Sequence, residues 1–468
     1  MQPTLEELRA RYGARYKWWV LLTVMIGTMA SILSSTIVNV AIPDLSQYFH
    51  LGQERAQWVS SGFMLAMTIS MLSTPWLLLR FGLRRTYTGA ILLLLIGGVI
   101  GGFSVNVPML LSMRVVEGLA AGVLQPIPVI VIMRAFNDKE QGRALGIFGF
   151  GVVLAPALGP SVGGFLVEQF GWRSIFFVVV PFCLVVLALT RRMLAVNSPM
   201  MGDARELDWK GLLLVAISTI SLLNGLVHLR SDGWQAAGFL VLGILSLIAF
   251  IAYQLHAEQP LMHMKLFDFR QFSMGALVAF IYGMGLFGST YLLPVYMQMA
   301  LHYTPSQAGL ILLPAGIVLA VIIPLAGAMA DRFPPHILVA GGLGLLALSF
   351  ALMALESSAG SYFLLMAWAI VGRIGLGFVL PALSLGSLRG LTPELIAQGS
   401  SAINFVRQLG GAIGISLVGI VLEWRLAAHA TDVAGRIDAF DDTFLLVASL
   451  CALAILAAWR MQEAPKLK

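Results

Sequence analysis

Ala155-Pro156-Ala157-Leu158-Gly159-Pro160-Ser161-Val162-Gly163-Gly164 lies inside an apolar run, residues 144–167. Its prolines and glycines weaken an ordinary helix, because proline lacks the backbone donor and crowds the preceding turn while glycine leaves the chain unrestrained. Within hydrocarbon such a stretch persists only where neighbouring helices pack closely against it. The reading is a kinked, tightly packed pivot inside a membrane-spanning helix.

The rest of the chain supplies that setting. Of its 468 residues 59% are hydrophobic and 11% charged, and the mean hydropathy is +0.88. Such a chain cannot cover a core with polar surface, so its main solvent is lipid. The apolar runs are continuous and not alternating, which selects helices over barrel strands, since a helix satisfies its own backbone groups. A span needs roughly 20 apolar residues, and about fourteen runs qualify. They are 18–42, 57–79, 87–105, 109–133, 144–167, 175–193, 212–229, 236–255, 274–299, 308–330, 337–355, 362–385, 402–421 and 444–459. The first run is too long for a signal-peptide core and follows Arg9, Arg11, Arg15 and Lys17, so it is expected to remain as an anchor.

An even number of spans puts both termini on one side. With those termini in the cytoplasm, roughly 21 of the 29 Lys and Arg residues fall in cytoplasmic segments, as the positive-inside rule requires. The expected location is the plasma (inner) membrane, multi-pass, with both termini cytoplasmic. The net charge of +6 then meets anionic lipid head groups and is no nucleic-acid footprint. Cys183 and Cys451 fall in expected helices far apart in the chain and read as small apolar fillers, not a disulfide.

Polar breaks at 197–210 and 256–271 bracket two helices. The expected organisation is an N-terminal six-helix bundle at 1–195, a linker with a two-helix hairpin insertion at 196–271 and a C-terminal six-helix bundle at 272–468. Two such halves commonly flank the substrate path of a transporter. Arg80-Phe81-Gly82 and Asp331-Arg332-Phe333 follow the second helix of each half, a weak internal repeat. Gly97/Gly101, Gly98/Gly102, Gly118/Gly122 and the Gly372–Gly377 stretch offer small-residue faces for close helix packing.

The stretch 155–164 resembles the glycine-proline antiporter motif of the drug:proton antiporters in the major facilitator superfamily. Leu33 to Pro43 resembles the first-helix signature of its fourteen-spanner branch, and Gly171-Trp172-Arg173-Ser174-Ile175-Phe176-Phe177 with Pro181 its sixth-helix start. Asp208-Trp209-Lys210-Gly211, Leu266-Phe267, Pro294 to Gln298, Pro305 and Ala308-Gly309 extend the resemblance over essentially the whole chain. It implies an all-α integral membrane protein with the major facilitator fold: two six-helix bundles plus a central hairpin. It also implies a proton-coupled secondary active exporter of amphipathic or cationic drugs working by alternating access, with Gly159, Pro160, Gly163 and Gly164 as the antiporter-motif pivot. The expected partners are a small-molecule substrate, protons and the bilayer, with a periplasmic adaptor conceivable in a Gram-negative envelope. The protein is expected to work as a monomer without cofactor, metal or nucleic acid.

Two departures from the family pattern stand out. The acid usual in the first helix is Ser34, and the glutamine usual in the fourth is Glu117. Glu117 follows Arg114 by three residues, so the two share a helix face, with Gln125 near the same azimuth. A charge at the bilayer centre costs roughly 2.5–3.5 kcal/mol unless it is paired or faces water. Glu117 and Arg114 are therefore candidates for proton coupling, the alternative being a permanent structural ion pair. The superfamily's gating loop is also incomplete: Arg80, Gly82, Arg84 and Arg85 are present, Leu79 takes the acid's position, and the second half retains Asp331 with Arg332. Arg80, Gly82, Arg84, Asp331 and Arg332 are thus the implied cytoplasmic gate, a plain topogenic charge cluster being the alternative.

Ser34, Asn39 and Gln125 are candidates for the first-half cavity wall, and Asn404, Arg407 and Gln408, at i, i+3 and i+4, for the second. Buried Arg373 is a further polar candidate. Tyr291 and Gln298 belong to a ninth span rich in tyrosine and methionine, which suits varied ligands or ordinary packing. No Walker loop, HExxH or Cys/His metal spacing occurs, so an enzyme is not expected. The other readings are an exporter specialised for a metabolite, siderophore or lipid, favoured by Ser34, and a non-transporting membrane sensor or scaffold.

Overall fold

The computed structural model describes residues 5–195, 206–229, 233–355, 362–429 and 433–462. The expected boundary near 196 and the linker up to 205 lie outside them. A short α1 (Leu5–Tyr12) precedes the first bundle. That bundle comprises α2 (Tyr16–Tyr48), α3 (Gln53–Ser70), α4 (Thr74–Gly102), α5 (Val107–Leu124), α6 (Ile127–Ala135), α7 (Gln141–Phe170), α8 (Ser174–Phe177) and α9 (Val179–Met193). The hairpin is α10 (Trp209–His228) and α11 (Gly233–His256). The second bundle holds α12 (Arg270–Met299), α13 (Pro305–Ala330), α14 (Pro335–Ala354), α15 (Tyr362–Leu388), α16 (Pro393–His429) and α17 (Val433–Arg460).

Among the described residues, twelve helical runs are long and apolar enough to cross a membrane, which makes this a multi-pass membrane protein. One of them, Arg55–Gly102, extends over 48 residues. It bends at Gly82, whose φ of 75° and ψ of 168° suit a residue without Cβ. The expected fourth span is likewise two pieces, α5 and α6, broken at Gln125-Pro126 where proline cannot continue the hydrogen-bond ladder.

Glycine sets how closely the helices approach. A Cβ on Gly118 would lie 2.4 Å from the Phe63 carbonyl oxygen, and one on Gly122 2.1 Å from that of Met67, so α5 lies directly against α3. In the second bundle a Cβ on Gly283 would lie 2.1 Å from the Arg407 carbonyl oxygen and one on Gly410 2.2 Å from that of Phe280. This contact fixes α16 against α12 and so determines where Arg407 can reach.

The two hairpin helices pack through Gly225 against Leu240 and Gly243 against Leu222, with Ser218 donating to the Gly243 carbonyl at 3.0 Å. Asp208 caps α10 by accepting from the Gly211 N–H at 2.8 Å, and Gln254 of α11 donates to the same carboxylate at 2.6 Å. The hairpin is not separate from the bundles: α10 contacts α3 of the first and α16 of the second.

The bundles join most extensively where α7 crosses α13. Gly142, Gly146 and Gly327 allow this, since a Cβ on Gly327 would lie 2.4 Å from the Gly142 carbonyl oxygen and 2.5 Å from Gly146 Cα.

Candidate functional site

Glu117 and Arg114 are both fully buried in α5. Arg114 Nη1 donates to Glu117 Oε2 at 2.7 Å and to Ser34 Oγ at 3.2 Å, while Ser34 Oγ donates to Glu117 Oε1 at 3.2 Å. Arginine, serine and glutamate thus form a closed ring of polar contacts. Arg114 Nε also donates to the Val59 carbonyl at 3.0 Å, and the guanidinium lies 4.3 Å from the centre of the Phe63 ring. Arg114 Nη2 is buried with no partner. The pair therefore ties α5 to α2 and α3 at once.

The fourth wall is α4. A Cβ on Gly97 would meet Glu117 Cγ at 2.6 Å, and one on Gly98 would lie 3.4 Å from Oε1. The small residues create the space that the glutamate occupies. Low-dielectric surroundings strengthen the ion pair and also make it costly to leave either partner alone.

Gln125 does not join this ring. It lines a separate cavity of about 40 Å³ between the bundles, with Phe148, Gly149 and Val152 of α7, Leu380 and Ser384 of α15, and Ile403, Asn404 and Arg407 of α16. Arg407 Nη2 donates to Asn404 Oδ1 at 2.8 Å, and Asn404 donates to the Ser400 carbonyl at 2.9 Å. Gln408 turns from that cavity toward the first bundle, where its Nε2 contacts Met64 Sδ at 3.5 Å.

The remaining cavity candidates are dispersed. Asn39 is exposed and accepts from Ser60 Oγ at 2.5 Å. Tyr291 and Gln298 are exposed along the second half of α12, whereas Tyr296 is buried against Phe440 and Phe444. Of the pivot residues, Gly159 and Gly163 face α2: a Cβ would meet Thr36 Oγ1 at 2.8 Å and Ile37 Cγ1 at 2.7 Å respectively. Gly164 has open space beside it, and the side chain of Pro160 lies outside the described residues.

The gate candidates divide in the same way. Asp331, just after α13, accepts from the Gly142 N–H at 2.6 Å through Oδ1 and from the Arg143 N–H at 2.8 Å through Oδ2, at the N-terminus of α7. Free N–H donors and the helix dipole make that end a natural site for a carboxylate. Burial raises the Asp331 carboxyl above its ordinary value, while the two N–H donors and Arg389 act the other way and Glu140 adds to the rise. Arg332 is exposed. Arg84 donates to the Arg191 carbonyl at 3.4 Å, a contact within the first bundle, and Arg80 lies beside the Gly82 bend.

Further links between the bundles occur at the same end, where α2 begins and α17 finishes. Arg134 donates to the Pro393 carbonyl at 2.8 Å, Arg389 to that of Asp138 at 3.3 Å, and Ser400 to that of Pro126 at 3.2 Å. The termini-bearing side is therefore closed in this conformer. The backbone donors of Gly142 and Arg143 had no signal in the side-chain pattern, although small residues at 142, 146 and 327 are compatible with a close crossing.

The profile of the Major Facilitator Superfamily matches residues 24–415. The chain belongs to that superfamily and is a secondary transporter, not an enzyme. It is 31% identical over 425 residues to the multidrug resistance protein B homolog of Mycobacterium tuberculosis (strain ATCC 25618 / H37Rv), covering 88% of this chain and 78% of that one. It is 26% identical over 460 residues to the riboflavin transporter RibZ of Clostridioides difficile (strain 630), covering 97% and 99%. Its fold is similar to that of the human organic anion transporter MFSD10, with a TM-score of 0.69 at 15% identity over 94% of this chain and 99% of that one.

Proposed function

We propose that this protein is a proton-coupled exporter of amphipathic compounds, of the fourteen-span drug:proton antiporter branch, working by alternating access across the plasma membrane. Counting the Arg55–Gly102 run as two crossings at the Gly82 bend, and Gln141–Phe170 as one more, brings the twelve candidates to fourteen. Both termini then lie in the cytoplasm, where the excess of Lys and Arg is also placed. The closed side in this conformer is the cytoplasmic one.

The observation that carries the reading is the Ser34–Arg114–Glu117 ring. A membrane-buried carboxylate held by one arginine is a two-state element. Ionised, it pairs with Arg114; protonated, it releases Arg114, whose other contacts reach α2 and α3. Proton binding therefore changes how three helices are joined, which is what coupling to a rocking motion requires. The ring also accounts for the departures from the family pattern, with the acid on α5 and its neutral partner on α2.

The test is uptake and release of a fluorescent amphiphile by proteoliposomes under an imposed pH gradient, comparing wild type with Glu117→Gln. Gradient-driven flux in the wild type, lost in the variant while equilibrium binding persists, is the expected result. Equal gradient-driven flux in both proteins sinks proton carriage by Glu117.

A second reading, an exporter specialised for one metabolite, is favoured by Ser34, which leaves the first helix without an acid for a cationic drug. The similarity to a riboflavin transporter supports it.

A further inference from the structure

The charge in the two halves is balanced differently. In the first bundle Arg114 is answered by Glu117 at 2.7 Å. In the second, Arg373 and Arg407 sit midway along α15 and α16, and among the described residues neither has a carboxylate within ion-pair distance. The nearby hydroxyl of Tyr282 on α12 is turned to the Leu376 carbonyl, to which it donates at 3.3 Å, and supplies neither arginine with a carboxylate.

A cation at this depth persists when it faces a wet cavity or finds an anion. Arg407 is partly exposed and lines the cavity between the bundles. Gln125, Ser384 and Asn404 give that cavity neutral polar groups, and Phe148 and Leu380 give it an apolar wall. Glu117 does not reach it, being enclosed by Ser34, Arg114, Gly97 and Gly98. A cationic ligand there would meet positive charge with no acid to offset it.

We propose that the cavity receives the anionic group of an amphipathic substrate, a carboxylate, sulfonate or phosphate held by the guanidinium of Arg407. Asn404 orients that guanidinium through the hydrogen bond it accepts from Nη2, leaving the other N–H groups for the ligand. Arg373 adds longer-range attraction, and the apolar wall takes the body of the molecule. In the present conformer the cavity has room for little more than water, and separation of α7 from α13 admits the ligand. The proposal rests on the export reading and narrows its substrates to anions.

The test is equilibrium binding of two dyes, anionic carboxyfluorescein and cationic ethidium, by fluorescence anisotropy to the full-length protein in phosphatidylcholine nanodiscs, without a gradient. Wild type is expected to bind carboxyfluorescein and not ethidium. Arg407→Gln should weaken the anion at least about tenfold, with Arg407→Lys intermediate because it keeps the charge and loses the fork. Thermal melting of each variant controls for folding, and Ser449→Ala, on the exposed side of α17 and outside the cavity lining, should bind as wild type does. Repeating the titration in phosphatidylglycerol separates the sources of the anion: undiminished binding assigns a soluble substrate, and competitive loss a lipid head group. The proposal is overturned if folded wild type does not bind carboxyfluorescein, if Arg407→Gln binds it unchanged, or if ethidium is preferred. Proton-driven flux of another amphiphile that still depends on Glu117 would then leave the export reading standing alone.

Discussion

Ser34 Oγ donates a hydrogen bond to Glu117 Oε1 at 3.2 Å, joining residues 83 positions apart. The position where the family usually has its first-helix acid is thus in direct contact with the position where this chain has gained one. By that resemblance, the branch's first-helix acid and this chain's Glu117 fall in one site. Moving the carboxylate to α2 is therefore expected to work: Ser34→Asp combined with Glu117→Gln should recover much of the gradient-driven flux that Glu117→Gln loses. Ser34→Asp alone crowds two carboxylates beside one arginine and is expected to transport less well than wild type. Proteoliposome flux across a pH series distinguishes these outcomes, and a double variant as inactive as Glu117→Gln refutes the equivalence.

Arg114 has structural consequences that Glu117 does not share, because it alone reaches Val59 and Phe63. Arg114→Ala leaves the buried glutamate unpaired and is expected to cost about 3–5 kcal/mol. Glu117→Gln retains an acceptor for Arg114 and should cost clearly less. Melting in detergent orders the two variants, and equal losses would mean that the ring does not depend on Arg114 as described.

Closure of the termini-bearing side responds to the protonation of Asp331. Burial raises its carboxyl pKa in the closed conformer, so closure is fully supported below the ordinary aspartate value of about 4 and weakens as pH rises through the raised one. Glu140, Arg143, Arg332 and Arg389 are the charged groups around it. Asp331→Asn should remove this pH dependence and keep the closed form populated, whereas Asp331→Ala leaves the Gly142 and Arg143 N–H groups unanswered and should open the face. Spin labels on exposed Lys139 and Arg332 can follow the distance across the gate. A pH response in Asp331→Asn equal to wild type would assign the effect to another group.

Much of this architecture was legible in the sequence because lipid imposes a simple rule. Long apolar runs have to be helices, and polar breaks such as 256–271 mark their ends. The Arg114–Glu117 pairing was legible from helix periodicity alone. What periodicity could not supply was the contact across helices: Ser34, a cavity-wall candidate on its own helix, forms the third member of the charged ring. Gln125 lies within about 20° of the azimuth of Arg114 on an ideal helix, yet the break at Pro126 and the packing of α6 set it in a different cavity. Asp331, a gate residue by resemblance, has backbone N–H groups for partners, which no side-chain pattern marks.

The glycines of the pivot make unequal demands. A methyl group on Gly159 or Gly163 would press on Thr36 or Ile37 of α2 at under 3 Å, while one on Gly164 would meet nothing within 4 Å. If α7 turns against α2 during transport, close approach at the first two positions matters and the third is free. Gly163→Ala is expected to cost about 1–3 kcal/mol through overpacking and to slow flux more than binding. Gly164→Ala should be silent, or stabilising by up to about 1 kcal/mol through helix propensity. Melting temperatures and initial flux rates of Gly159→Ala, Gly163→Ala and Gly164→Ala check the order. If Gly164→Ala is the most damaging, the pivot does not act through the contact with α2, and the face of α7 carrying Phe165 becomes the one to examine, since that side chain is 61% exposed.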